Sequence, residues 1–63
     1  MDVKRAAIMW DAGYTLKLPS DSTPLHKEAD KNRAYYGYLV DINGEAVVLK
    51  TYHLASELWE IAQ

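Results

Sequence analysis

The chain has 63 residues, a formal net charge of −2 and no cysteine, so it has room for one small domain and excludes disulfides and zinc–thiolate sites. Its nine acidic and seven basic residues are interspersed, which excludes a strong overall attraction to nucleic acid or anionic lipid. It has no long apolar run of the kind that forms a transmembrane helix, and the absence of cysteine suits a reducing compartment, so we expect a cytoplasmic location.

We expect residues 1–63 to form a single domain that needs reinforcement from outside its own core. A core of this size contributes only about 3–5 kcal/mol to stability. Disulfides are excluded, and His26 and His53 lie too far apart in sequence to indicate a structural metal. We therefore predict no cofactor and no metal, and expect a protein partner, either a second copy in a homodimer or a larger protein.

The first predicted element is a helix over residues 3–12. Asp2 is a plausible N-cap, and Gly13 lies where a left-handed C-terminal cap is usual. Four apolar residues recur at helical spacing, namely Val3, Ala6, Ala7 and Trp10. A strand over residues 6–10 is the alternative.

A strand over residues 14–18 and a loop over residues 19–33 are predicted next. Apolar and polar residues alternate in the strand, so Tyr14, Leu16 and Leu18 should face the core, and Pro19 should end it. Residues 19–33 have the composition of a loop, with a short helical turn beginning at Pro24 as the alternative.

A β-hairpin over residues 35–52 is the strongest local prediction, because Asn43-Gly44 lies between two apolar runs. A two-residue type I′ turn would place Val40 opposite Val47, and a three-residue loop with a bulge at Gly44 is the competing geometry. With the type I′ turn, the face expected to cover the core carries Tyr36, Tyr38, Val40, Ile42, Val47 and Leu49.

The last predicted element is a helix over residues 53–62, with Leu54, Leu58 and Ile61 on its buried stripe. The expected fold class is therefore α+β. Its architecture would be a two-layer domain, in which a three-stranded antiparallel sheet packs against an N-terminal and a C-terminal helix.

The second face of the hairpin is also apolar, which is unusual for a face in contact with water. The aromatic residues of the chain are five tyrosines and two tryptophans, which suit half-buried interfaces because each ring carries a polar group. We predict that this face binds a partner, with anchors and orienting charges at Tyr35, Leu39, Asp41, Val48, Lys50 and Tyr52.

The sequence contains no pattern typical of catalysis, so we predict no catalytic residue and expect that the protein is not an enzyme. On a helix, His26 and Asp30 would share a face, but no third ligand joins them. His53 is expected to be a satisfied or exposed histidine at the start of the last helix. The carboxylates are scattered, and no serine has the setting of a nucleophile.

The leading functional hypothesis is a non-enzymatic protein–protein interaction module that associates with itself or binds and modulates a larger cytosolic protein. Inhibitors encoded by phages and other mobile elements are often short and free of cysteine, so an inhibitor of this type is the biological setting that we expect first. The alternative is weak binding of single-stranded nucleic acid by the hairpin tyrosines together with Lys31, Arg33 and Lys50. No small-molecule substrate and no membrane contact are expected.

Overall fold

The computed structural model describes residues 1–29 and 37–62, apart from the side chains of residues 21, 22 and 29. Within these ranges the elements, in chain order, are α1 (Val3–Asp11), β1 (Leu16–Leu18), β2 (Asp21–Ala29), β3 (Gly37–Val40), β4 (Ala46–Val47), α2 (Thr51–Ala55) and β5 (Glu60–Ile61). The strands form one antiparallel sheet in the order β4-β3-β2-β1-β5. The predicted α+β class is confirmed, whereas the predicted three-stranded sheet is wrong, since the sheet has five strands.

Helix α1 begins and ends as its sequence predicts. The Asp2 carboxylate accepts a hydrogen bond from the Arg5 backbone N–H at 2.9 Å, which makes it the N-cap. Gly13 has φ +97°, and the N–H groups of Gly13 and Tyr14 donate to the carbonyls of Trp10 and Met9. This pair of bonds is a Schellman motif, so the alternative of a strand in this region is wrong.

The strand predicted over residues 14–18 is shorter than expected because of the Schellman motif. The backbone N–H of Tyr14 closes the helix end, so strand β1 begins only at Leu16 and the Tyr14 side chain is exposed. Leu16 and Leu18 are buried, as their alternation predicts.

Strand β2 lies within the segment predicted as a loop or short helix over residues 19–33, so that prediction is wrong for Asp21–Ala29, and residues 30–33 lie outside the described residues. It pairs with β1 through Leu16 and Leu25, and with β3 through His26 and Val40. Pro24 lies where the pairing register between β1 and β2 shifts, so its missing N–H interrupts no regular ladder. The strand forms because β1 and β3 pair with it on either side. The sequence of β2 alone gives no sign of this pairing.

The hairpin has the three-residue loop rather than the type I′ turn. The Asp41 N–H donates to the Glu45 carbonyl, and the Gly44 N–H donates to the Asp41 carbonyl, both at 3.0 Å. Gly44 has φ +80°, as the bulge position of this loop requires. The predicted pairs are therefore wrong by one residue, and the observed pairs are Leu39 with Val47 and Val40 with Ala46.

Because the register differs by one residue, several side chains predicted to cover the core do not do so. Leu39 joins Val47 and Leu49 beside the core, whereas Tyr38 is exposed and Ile42 is 81% exposed. Val40 is fully buried but is not part of the main core cluster. Tyr35 and Tyr36 lie outside the described residues.

The predicted helix over residues 53–62 is wrong. Helix α2 spans only Thr51–Ala55, and β5 then pairs with β1, with Leu16 opposite Ile61. The three residues expected on the buried stripe, Leu54, Leu58 and Ile61, are exposed. Trp59 is buried instead, because its ring packs against the core when the chain turns back toward β1.

The main core lies between α1 and the sheet. Trp10 of α1 and Trp59 meet edge to face, with ring centroids 4.9 Å apart, and the Trp10 indole N–H donates to the Leu25 carbonyl at 3.0 Å. The buried cluster comprises Ala6, Trp10, Leu16, Leu18, Leu25 and Trp59.

The outer edge of β5 is covered at Trp59. The Ala62 N–H donates to the Thr15 carbonyl of the β1 side, so by alternation the backbone N–H and C=O of Trp59 point the opposite way. The Trp59 N–H donates to the Met1 carbonyl at 3.0 Å, and the Met1 amino group donates to the Trp59 carbonyl at 2.7 Å. Neither helix in the described ranges has the length and apolar character needed to cross a bilayer.

Candidate functional site

A cleft of about 220 Å³ opens beside Trp59, and we refer to it as the aromatic cleft. Its walls come from β1, β2, β4, α2 and the segment that precedes β5. The lining residues are Leu18, Thr23, Leu25, Val47, Val48, Lys50, Tyr52, His53 and Trp59.

A column of aromatic rings runs from the core to the mouth of the aromatic cleft. Trp10 packs on Trp59, Trp59 stacks on His53 with centroids 5.8 Å apart, and His53 lies 4.0 Å from Tyr52. Trp59 is 2% exposed, whereas Tyr52 at the outer end is 50% exposed. The cleft therefore has a buried aromatic inner wall and an accessible aromatic ring at its rim.

His53 holds α2 in place beside this column. Its ring Nδ1 accepts a hydrogen bond from the Lys50 backbone N–H at 2.9 Å, and its carbonyl accepts from the Trp59 indole N–H at 3.0 Å. An Nδ1 that accepts a hydrogen bond places the proton of the neutral ring on Nε2. His53 is buried and hydrogen-bonded, which agrees with the sequence-based expectation of a satisfied histidine.

The aromatic cleft carries positive charge and no negative charge among its lining residues. Lys50 is exposed, and no carboxylate in the described part of the chain lies within ion-pair distance of its ammonium group. The ion pairs that are described lie elsewhere: Lys17 with Glu60, His26 with Glu28, and Lys27 with Asp11. An apolar cleft with a lysine at its rim favours an apolar ligand that carries a negative group.

Three of the six predicted partner-binding residues come together at this cleft. Val48, Lys50 and Tyr52 all line it, and Val48 is 84% exposed. The structure separates Leu39 and Asp41 from them. Tyr35, and Lys31 and Arg33 of the nucleic-acid hypothesis, lie outside the described residues.

The two separated residues have structural roles. Leu39 packs beside the core and lines a second groove of about 220 Å³ between α1 and β3. The Asp41 carboxylate accepts hydrogen bonds from the N–H groups of Asn43 and Glu45, at 2.8 and 3.1 Å, within the hairpin loop.

The inner wall of the aromatic cleft could not be found by sequence reasoning. The sequence pattern places Trp59 at the edge of a long helix, and it does not connect Leu18 and Leu25 with the hairpin. The only sequence signal for Trp59 is its size, because a tryptophan is rarely left exposed in a small domain.

The cation site considered for His26 and Asp30 required a helix, and His26 instead lies in a strand. Its Nε2 is 3.3 Å from the Glu28 carboxylate, since residues two apart share a face of a strand. Asp30 is not among the described residues, and the described ranges contain no group of three metal-ligating side chains.

No protein-family model, curated protein or solved structure matches this chain. Shape, burial and charge at the aromatic cleft therefore carry the functional conclusion. The cleft is suited to holding an apolar side chain of a partner between aromatic and aliphatic walls.

Proposed function

We propose that this protein is a small non-enzymatic interaction module, which binds and modulates a larger protein or a second copy of itself through the aromatic cleft. The observation that carries the proposal is the exposure of Val48 and Tyr52 beside a preformed apolar cleft. Apolar and aromatic residues that remain exposed around a pocket are typical of interaction surfaces.

A non-enzymatic role is supported by the way the cleft uses its titratable groups. His53 contributes its Nδ1 to a backbone hydrogen bond that fixes α2, so that nitrogen is already occupied. Lys50 is exposed, and its ammonium group is suited to pairing with a carboxylate. A cytoplasmic location, which the cysteine-free composition suits, and an origin as an inhibitor from a mobile element belong to this proposal.

The Tyr52→Ala variant tests the proposal, because Tyr52 is the exposed ring at the rim. Removal of such an anchor should weaken association by about 1–2 kcal/mol, or roughly five- to thirtyfold in Kd. Leu54→Ala is the matched control, since Leu54 is also in α2 and is 54% exposed but does not line the cleft.

Light scattering behind a sizing column measures self-association of both variants, and binding to proteins captured by the wild type measures association with a partner. We expect Tyr52→Ala to weaken whichever association the wild type shows by this factor and Leu54→Ala to leave it unchanged. Equal behaviour of the two variants would contradict a role for the cleft.

Binding of single-stranded nucleic acid is the alternative, because Lys50 and Tyr52 place a cation beside an exposed ring. Phosphate binding weakens steeply with added salt, whereas an apolar protein interface changes little. Binding of a labelled oligothymidylate that does not depend on salt, or that survives Tyr52→Ala, would exclude this alternative.

A further inference from the structure

The two edges of the sheet differ at one position. Beside the β5 edge, Met1 occupies the outward N–H and C=O groups of Trp59, the residue that precedes β5. At the β4 edge, the described part of the chain supplies no comparable backbone partner. An uncovered edge presents unpaired backbone groups that can pair with another strand.

The hydrogen bonds of the hairpin loop identify which groups of β4 are available. Asp41 and Glu45 form a hydrogen-bonded pair, and such pairs alternate along an antiparallel ladder. Ala46 is opposite Val40, so its N–H and C=O point away from β3. Val48 lies one residue beyond the end of β4, and continuing the same alternation past that end gives its backbone groups the same direction. Ala46 and Val48 therefore offer outward backbone groups two residues apart.

This edge borders the aromatic cleft. Val47 and Val48 line the cleft, and Lys50 and Tyr52 follow them along the chain. A strand added beside β4 would run past the mouth of the cleft, where alternate side chains point to the same face. Its apolar residues can enter the cleft, and an adjacent carboxylate can reach the Lys50 ammonium group.

Charge complementarity indicates an acidic occupant. The chain has nine acidic and seven basic residues, yet no acidic residue lines the cleft and Lys50 does. A basic segment would be repelled by the Lys50 ammonium group. A neutral segment would gain no ion pair with it.

We propose that the ligand of this protein is an extended segment of a partner, with apolar residues alternating with Asp or Glu, which adds to the sheet as a strand at β4 and places an apolar side chain in the aromatic cleft. This inference rests on the proposed function and specifies its mode of recognition. Backbone pairing supplies affinity in this mode, and the cleft and Lys50 supply selectivity.

An mRNA-displayed library of random dodecapeptides, selected on the full chain, is the probe. We expect enrichment of proline-free sequences in which apolar residues alternate with Asp or Glu. Enrichment of basic sequences, of apolar residues at helical spacing, or of nothing at all would overturn the inference.

Val48→Pro and Val48→Ala then test backbone pairing, with an enriched peptide labelled for fluorescence anisotropy. Both variants remove the isopropyl group, but only the proline removes the outward N–H. We expect binding to Val48→Pro to be about tenfold weaker than binding to Val48→Ala, as the loss of one interfacial hydrogen bond predicts. Equal affinities of two folded variants would overturn strand addition.

N-methylation of the peptide tests the same point without altering the protein. Methyl groups on the alternate nitrogens that face β4 should abolish binding, whereas methyl groups on the intervening nitrogens should not. A peptide that tolerates both patterns would overturn the inference even if Val48→Pro fails to fold.

Two further outcomes separate this inference from the proposed function. If Tyr52→Ala abolishes association while N-methylation has no effect, the cleft binds a partner but strand addition is wrong. If a wild-type dimer competes with the peptide and is lost in Val48→Pro, the occupant of this edge is a second copy and the proposed acidic partner is wrong.

Discussion

At the scale of single residues, Gly44 determines the register of the hairpin. Its φ of +80° is in the left-handed region, and an added Cβ would meet no heavy atom within 4 Å. The backbone conformation, and not a lack of space, therefore favours a glycine here. The Asp41 carboxylate supports the same loop by accepting two backbone N–H groups.

We predict that Gly44→Ala destabilises the protein by about 1–2 kcal/mol, the usual penalty of a left-handed conformation for a residue with a Cβ. Urea denaturation followed by circular dichroism measures this change. Gly44→Asn is the control and should cost less, because asparagine tolerates this conformation better. A cost as large for asparagine as for alanine would show that the backbone conformation is not the cause.

The residues of the aromatic cleft show which part of a site can be predicted from sequence. Val48, Lys50 and Tyr52 are two apart along the chain and meet at the cleft. The grouping of Val48 and Lys50 follows from alternation in an extended segment, whereas Tyr52 reaches the cleft from helix α2, which follows directly. Leu39 joins them only in the predicted register, and the change of one residue removes it.

At the scale of secondary structure, the pairing of β2 and β3 depends on close approach at Gly37. A Cβ built on Gly37 would lie 2.8 Å from the Glu28 carbonyl oxygen and 2.6 Å from the Lys27 side chain. The lysine side chain can move, but the backbone oxygen belongs to the paired strand. Gly37 is therefore a site of close backbone approach, which is a common reason for a glycine inside a strand.

We predict that Gly37→Ala destabilises the protein by about 1–3 kcal/mol, the usual range for forcing extra volume into a packed position. Hydrogen exchange at the β2–β3 amides should accelerate together with this loss. Gly13→Ala is a useful comparison, since a Cβ there meets no atom within 4 Å and only the positive φ opposes it. Unchanged exchange between β2 and β3 in Gly37→Ala would contradict the steric argument.

Elements with local signals were predictable, and elements formed by distant pairing were not. Helix α1 carries its own cap residues, Asp2 and Gly13, close to its two ends. Strands β2 and β5 have no comparable local signal, because their hydrogen bonds come from strands elsewhere in the chain. The Asn-Gly signature located the hairpin loop but fits both competing loop geometries.

At the scale of the whole molecule, stability is concentrated at Trp59. This residue packs on Trp10 of α1, pairs with Met1 through two backbone hydrogen bonds and precedes β5. The first and last described segments of the chain therefore meet at one residue. The cost of removing a buried tryptophan is similar to the total stability expected of a domain this small.

We predict that Trp59→Ala loses about 3–5 kcal/mol and leaves the protein largely unfolded at ordinary temperature. Leu58→Ala is the control, because Leu58 is exposed and its removal should change stability by about 0.5 kcal/mol or less. Thermal melts followed by circular dichroism measure both variants. A cooperative melt of Trp59→Ala close to that of the wild type would contradict this account of the core.

The aromatic column also provides an intrinsic fluorescence signal for binding in the cleft. Trp10 and Trp59 are the only tryptophans of the chain, they touch each other, and Trp59 lines the cleft. A molecule that enters the cleft changes the surroundings of the Trp59 ring, on which indole emission depends. Ligands can therefore be screened by intrinsic fluorescence, without a dye and before the natural partner has been identified.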